Sequence, residues 1–90
     1  LNEQRTYCAC CKNKTVFKRI DFDICPVCYW EKDPNEEIIY NPNVVSENNQ
    51  ISLIEGIRNY ETFGACKEEF VSLVRKPFSY EVPNYKENNE

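Results

Sequence analysis

Cys8-Ala9-Cys10-Cys11 and, after a thirteen-residue spacer, Cys25-Pro26-Val27-Cys28 form the stretch on which the fold turns. Both are Cys-x-x-Cys pairs, and that spacing makes a tight turn that points two thiolates at one ion. Pro26 fixes φ just inside the second turn, so less entropy is lost in closing it. The spacer is long enough for a short hairpin that brings the two knuckles face to face. The reading is one structural Zn²⁺ held by Cys8, Cys11, Cys25 and Cys28. A disulfide framework is the alternative, since six cysteines in 90 residues is dense. Against it, Cys8, Cys10 and Cys11 are crowded too closely to bridge one another well. Iron in a rubredoxin-like site uses the same all-thiolate donors and stays open.

Ninety residues make one domain, near the size where a single core is marginal. A structural zinc changes that balance, because its apparent binding energy in small fingers, about 10–16 kcal/mol, is folding energy. The formal charge is −4, and a zinc tetrathiolate makes it more negative still. An acidic chain is repelled by phosphate backbones, so the balance argues against nucleic acid and suits a basic protein partner. No apolar run is long enough to span a membrane, and no leader pattern is visible. Reduced, metal-bound thiols fit a cytoplasmic setting.

Residues 7–33 read as the metal-binding half. Thr15-Val16-Phe17 and Ile20-Asp21-Phe22-Asp23-Ile24 are the expected hairpin arms. Lys12, Lys14, Lys18 and Arg19 cluster there and are read as offsetting the charge of the site, with nucleic-acid contact as the sharper alternative. Tyr29-Trp30 is expected to cap the small core. Residues 34–51 read as a loop broken by prolines, in which Ile38-Ile39-Tyr40 packs or pairs as a short strand. Residues 52–76 read as two α-helices. Ser52-Leu53-Ile54-Glu55 is a capping box, Leu53, Ile54, Ile57 and Tyr60 share a face, and Gly64 ends the first helix. The second is expected from Lys67 to Arg75, with Cys66, Phe70, Leu73 and Val74 on one stripe and Pro77 as its stop. Gly56, mid-helix, costs about 0.8–1.0 kcal/mol against alanine, which either close contact with another element or plain local tolerance would explain. The whole is one α+β domain over residues 1–83, a zinc-ribbon-like hairpin half packed on two C-terminal helices, with residues 84–90 as a disordered polar tail.

Catalytic chemistry is thin. The chain has no histidine and only two glycines, which removes the usual Cys-His and Ser-His systems and any phosphate-cradling loop. Four thiolates close the shell of a zinc, whereas a catalytic zinc keeps one position open. The expectation is therefore a non-enzymatic protein-binding domain. Glu31, Asp33, Glu36 and Glu37 are the candidate partner-binding acids, and Cys10 and Cys66 are spare thiols. A nucleic-acid-binding zinc ribbon and a thiol-redox or electron-transfer protein are the alternatives.

Several ordered motifs resemble the bacterial cysteine-rich CPCC family. They are Tyr7-Cys8-Ala9-Cys10-Cys11, Asp23-Ile24-Cys25-Pro26-Val27-Cys28-Tyr29-Trp30-Glu31, Ser52-Leu53-Ile54-Glu55, Arg58-Asn59-Tyr60, Phe63-Gly64-Ala65-Cys66 and Val74-Arg75-Lys76-Pro77. The resemblance spans about residues 7–77. Ala9 stands where the family has proline, and Lys12 where a glycine normally follows the first knuckle. That glycine would occupy a left-handed turn, which Asn13 is expected to supply here. The middle loop also lacks the family's glycine-rich stretch. The resemblance implies a zinc-binding domain without known catalysis and a link to toxin immunity, in which a small acidic protein blocks a basic toxin domain.

Overall fold

The structure, a computed structural model, describes residues 4–86. Its first hairpin is built from β-branched and aromatic residues. Strand β1 (Arg5–Tyr7) pairs antiparallel with β2 (Lys14–Phe17), with Arg5 opposite Phe17 and Thr6 opposite Val16. A register shift between Thr6 and Tyr7 bends the chain into the first cysteine knuckle, which is the tip of this hairpin. The expected partner of residues 15–17 was the 20–24 run, and the structure corrects this. Side chains replace ladder bonds there. Asp23 Oδ2 accepts from Phe17 N–H at 2.8 Å, and Lys32 Nζ donates to the carbonyls of Phe17, Lys18 and Ile20. Phe22 takes φ 64, and Ile20, Phe22 and Ile24 are exposed.

Residues 22–25 pair instead with 30–32 around the second knuckle. Phe22 N–H donates to Lys32 O, Lys32 N–H to Asp23 O, and Cys25 N–H to Trp30 O, at 2.8–3.0 Å. Each knuckle is therefore carried by its own antiparallel arms. Residues 38–40 form no strand. Ile38 lies in a single helical turn, α1 (Glu37–Tyr40), with its side chain buried, because Asp33 Oδ1 and Asn35 Oδ1 accept from Asn35 N–H and Glu37 N–H and start a turn there. A second small hairpin, β3 (Val45–Ser46) with β4 (Ile51–Ser52), leads directly into helix α2 (Leu53–Phe63).

Helix α2 begins at the predicted cap, but only the serine half of the expected capping box forms. Ser52 Oγ accepts from Glu55 N–H at 3.2 Å, while Glu55 itself stays exposed. Gly64 ends the helix at φ 91, its N–H bonded to Tyr60 O. Leu53 and Gly56 are the buried positions, and a Cβ on Gly56 would lie 3.0 Å from Trp30 and 3.4 Å from Cys10 Sγ. The glycine lets the helix backbone lie directly on the indole.

The expected second α-helix is a 3₁₀ helix, Glu68–Leu73. Its ends are pinned to the second knuckle: Cys66 N–H donates to Cys28 O at 2.7 Å and Arg75 N–H to Pro26 O at 3.1 Å. Both ends of the segment are thus held by carbonyls two residues apart in one turn, which constrains how the intervening residues can wind. The apolar stripe does not form: Phe70 packs on Tyr29 with ring centroids 4.6 Å apart, but Leu73 is 56% exposed.

Beyond Pro77 the chain runs back to β1. A short 3₁₀ turn, Ser79–Glu81, buries Glu81 completely. Its carboxylate accepts from Arg75 Nη1 and Nη2 at 2.9 and 3.1 Å, from Arg5 Nη1 at 3.3 Å, and from Phe78 N–H at 2.9 Å. The two arginines lie over Phe78 and Phe17. Of the tail expected at 84–90, residues 87–90 lie outside the described residues, as do residues 1–3 of the domain expected over 1–83. Tyr85 N–H closes a turn onto Val82 O at 3.1 Å.

Candidate metal centre

Both knuckles solve the same local problem. Lys12 N–H donates to Cys8 O at 2.9 Å, and Tyr29 N–H donates to Cys25 O at 2.8 Å. The residue after the second cysteine must then turn left-handed, and both Lys12 and Tyr29 sit at φ 71. Asn13, the residue expected to supply that turn, does not. It is buried, its carbonyl accepts from Cys8 N–H and its amide reaches the Tyr60 hydroxyl. Lys12 offsets part of the cost of its backbone by folding its ammonium onto Ala9 O at 2.6 Å.

The knuckles bring Cys8, Cys11, Cys25 and Cys28 together. All four are buried, and their sulfurs lie within 4.8 Å of one another. Cys8 Sγ is 3.5 Å from Cys28 Sγ, and Cys11 Sγ is 3.7 Å from Cys25 Sγ. Zn–S bonds of about 2.3 Å in a tetrahedron set sulfurs about 3.8 Å apart, so the cage is the size a tetrahedral metal needs. All six cysteines are free. The disulfide framework weighed from the sequence is not formed.

The site has supporting contacts that the sequence reading missed. The Thr15 hydroxyl lies 2.9 Å from Cys25 Sγ, and Val27 N–H donates to the same sulfur at 3.3 Å. Such contacts orient ligands and stabilise thiolate. Residues 12–15 alternate exposed and buried, a period that could have placed Thr15 inward. Without a cation the four thiols cannot all ionise. Hydrogen bonding from Cys11 holds the Cys25 thiol low, while the Cys8 thiol is pushed up by Cys11 and the Cys28 thiol by Cys10. A divalent metal at the centre would deprotonate a thiol outright on coordination.

Cys10 is buried with its sulfur against Gly56, and it also acts on the Cys28 thiol. Cys66 is buried as well, and burial pushes its thiol up to about 12. Neither is a surface thiol. Of the four acids proposed from the sequence, Glu36 and Glu37 are exposed on and before α1, and Glu31 and Asp33 are half-buried. Asp33 Oδ2 also accepts from Ser46 Oγ at 2.8 Å, and the backbone of Glu31 is held by the Asn49 side chain. No helix among the described residues is long and apolar enough to cross a membrane.

A family model described as Cysteine-rich CPCC matches residues 6–81, from the start of the first hairpin to the buried glutamate. Neither the curated proteins nor the solved structures give a match.

Proposed function

The chain belongs to the cysteine-rich CPCC family, and from that premise we propose a zinc-stabilised, non-catalytic domain that binds a basic protein, with toxin immunity as its setting. The observation that supports it is the closed sulfur cage. Four buried thiols surround one centre, and the chain has no histidine to serve as a general base beside it. Zinc supplies structure at such a site by holding two knuckles that are seventeen residues apart in sequence, Cys8 to Cys25. The exposed acids around α1 and the acidic net charge favour rapid capture of a cationic partner.

Co-purification with the product of the adjacent gene, with growth rescue when that product is expressed, tests the reading. A complex that weakens with salt, contains one zinc per chain and rescues growth supports it. A second reading, single-stranded nucleic-acid binding, is favoured by one groove, lined by Arg5, Lys14, Tyr7, Tyr80 and Tyr85. Aromatic and cationic side chains together can stack bases and follow a phosphate chain. Retention of the protein on heparin or oligothymidine at physiological salt, with no protein complex, would replace the first reading by this one.

A further inference from the structure

An apolar cavity of ≈190 Å³ opens beside the first knuckle, with Tyr7, Cys8, Val16, Trp30, Ile38 and Ile39 among the residues that line it. We propose that it is the socket for a single leucine or phenylalanine side chain presented by a basic protein segment. The proposal rests on the protein-binding reading above. A dry apolar cavity of about 150 Å³ accepts benzene, so this one is large enough for either side chain. Its mouth is apolar too. Ile39 is 57% exposed, Tyr7 55% and neighbouring Tyr40 81%. Large apolar residues left at the surface around a concavity are the pattern of an interaction site, with one buried anchor supplying most of the binding.

The rim decides the partner's charge. Asp33 lines the cavity, and Glu36 and Glu37 stand exposed immediately before Ile38 and Ile39. Lys32 lines the cavity as well, and its charge offsets that of Asp33. Its ammonium is held by the carbonyls of Phe17, Lys18 and Ile20, which leaves Glu36 and Glu37 as the exposed charges beside the mouth. Two exposed carboxylates, Glu36 and Glu37, thus stand beside an apolar hole, and Cys8 of the sulfur cage is part of its lining. Lysines or arginines flanking the anchor complement that field, and acidic flanks are repelled.

Trp30 is the chain's one tryptophan and a wall of the socket, so its emission reports occupancy. The probe is a lysine-flanked peptide with a central leucine, titrated into the metal-loaded full chain, beside an alanine-centred and a glutamate-flanked control. The leucine peptide is expected to shift Trp30 emission saturably, and both controls to bind at least about tenfold more weakly. Ile39→Lys, at an exposed position, should leave the fold intact and abolish the shift, whereas Glu36→Lys with Glu37→Lys should weaken it and flatten its salt dependence. No shift with the leucine peptide, an equal shift with the alanine peptide, or a shift that survives Ile39→Lys overturns the socket. A complex with a full-length basic partner that survives Ile39→Lys removes the socket and leaves the protein-binding reading standing; absence of any such complex removes that reading.

Discussion

The sulfur cage and the Glu81 clasp are both buried polar centres, and the chain completes them in opposite ways. The cage draws its four donors from two local turns and has the arrangement to take a metal ion from solution. The clasp buries one carboxylate and supplies the countercharge itself, from Arg75 six residues away and Arg5 seventy-six residues away. One centre could therefore be completed only from outside the chain. The other depends on the two ends of the domain staying together. The cage organises the middle of the fold, and the clasp ties the first strand to the last turn.

The sharpest way to separate the two centres is to remove a sulfur. Cys25→Ser should lose the bound metal and unfold the knuckle half, since about 10 kcal/mol or more of folding energy is linked to such a site. Metal content and circular dichroism of the purified variant check this, and a folded, metal-loaded Cys25→Ser would remove Cys25 from the ligand set.

Breaking the clasp should cost less and leave the metal in place. Arg75→Ala strands a buried carboxylate with one guanidinium and one amide, a loss of about 3 kcal/mol. Glu81→Gln should cost about 1–3 kcal/mol, because the arginines, each partly exposed, return to water. The Arg75 hydrogen bond holds the Glu81 carboxyl below its ordinary value of 4.5. Its contribution is therefore complete above about pH 4.5 and disappears as pH falls through the lowered folded value. The stability gap between the wild type and Glu81→Gln, measured in urea, should shrink over that acid range. A gap that widens on acidification would contradict the assignment.

Between the two centres lies the contact of α2 with Trp30. Gly56→Ala places a methyl 3.0 Å from the indole and should destabilise by about 1–3 kcal/mol despite the better helix propensity of alanine. Thermal melting checks the sign, and a stabilised variant would show that the indole yields. Cys66→Ser buries a hydroxyl in place of a thiol and should cost about 1 kcal/mol with full retention of metal. The smallest effect has the opposite sign. Lys12→Gly relieves the left-handed backbone of the first knuckle and should stabilise by up to about 1 kcal/mol, less the loss of the Ala9 contact. The knuckles differ in this respect, since Tyr29 at the same φ also packs on Phe70 and gains from its side chain.

Local chemistry was legible in the sequence. The two Cys-x-x-Cys turns, the Ser52 cap and the Gly64 stop all depend on residues within one turn, whereas Gly56 is merely unusual in the sequence until the structure places Trp30 against it. The strand partner of residues 14–17 was not legible, because Arg5–Tyr7 is three residues long and the 20–24 run alternates more convincingly. Nor was the helix type of residues 68–73, where the apolar pattern fits an α-helix but two hydrogen bonds tie both ends of the segment to the second knuckle.

By itself, then, the sequence determined the cage, the helix with both its ends, and the acidic character of the surface, since these follow from residue spacing and composition. Only the tertiary structure decided which strands pair, how the last helix is wound, where an apolar cavity opens and that Glu81 is buried between two arginines. Those outcomes compare free energies between segments far apart in the chain. A carboxylate at position 81 becomes a core residue only once folding has brought Arg5 and Arg75 to it.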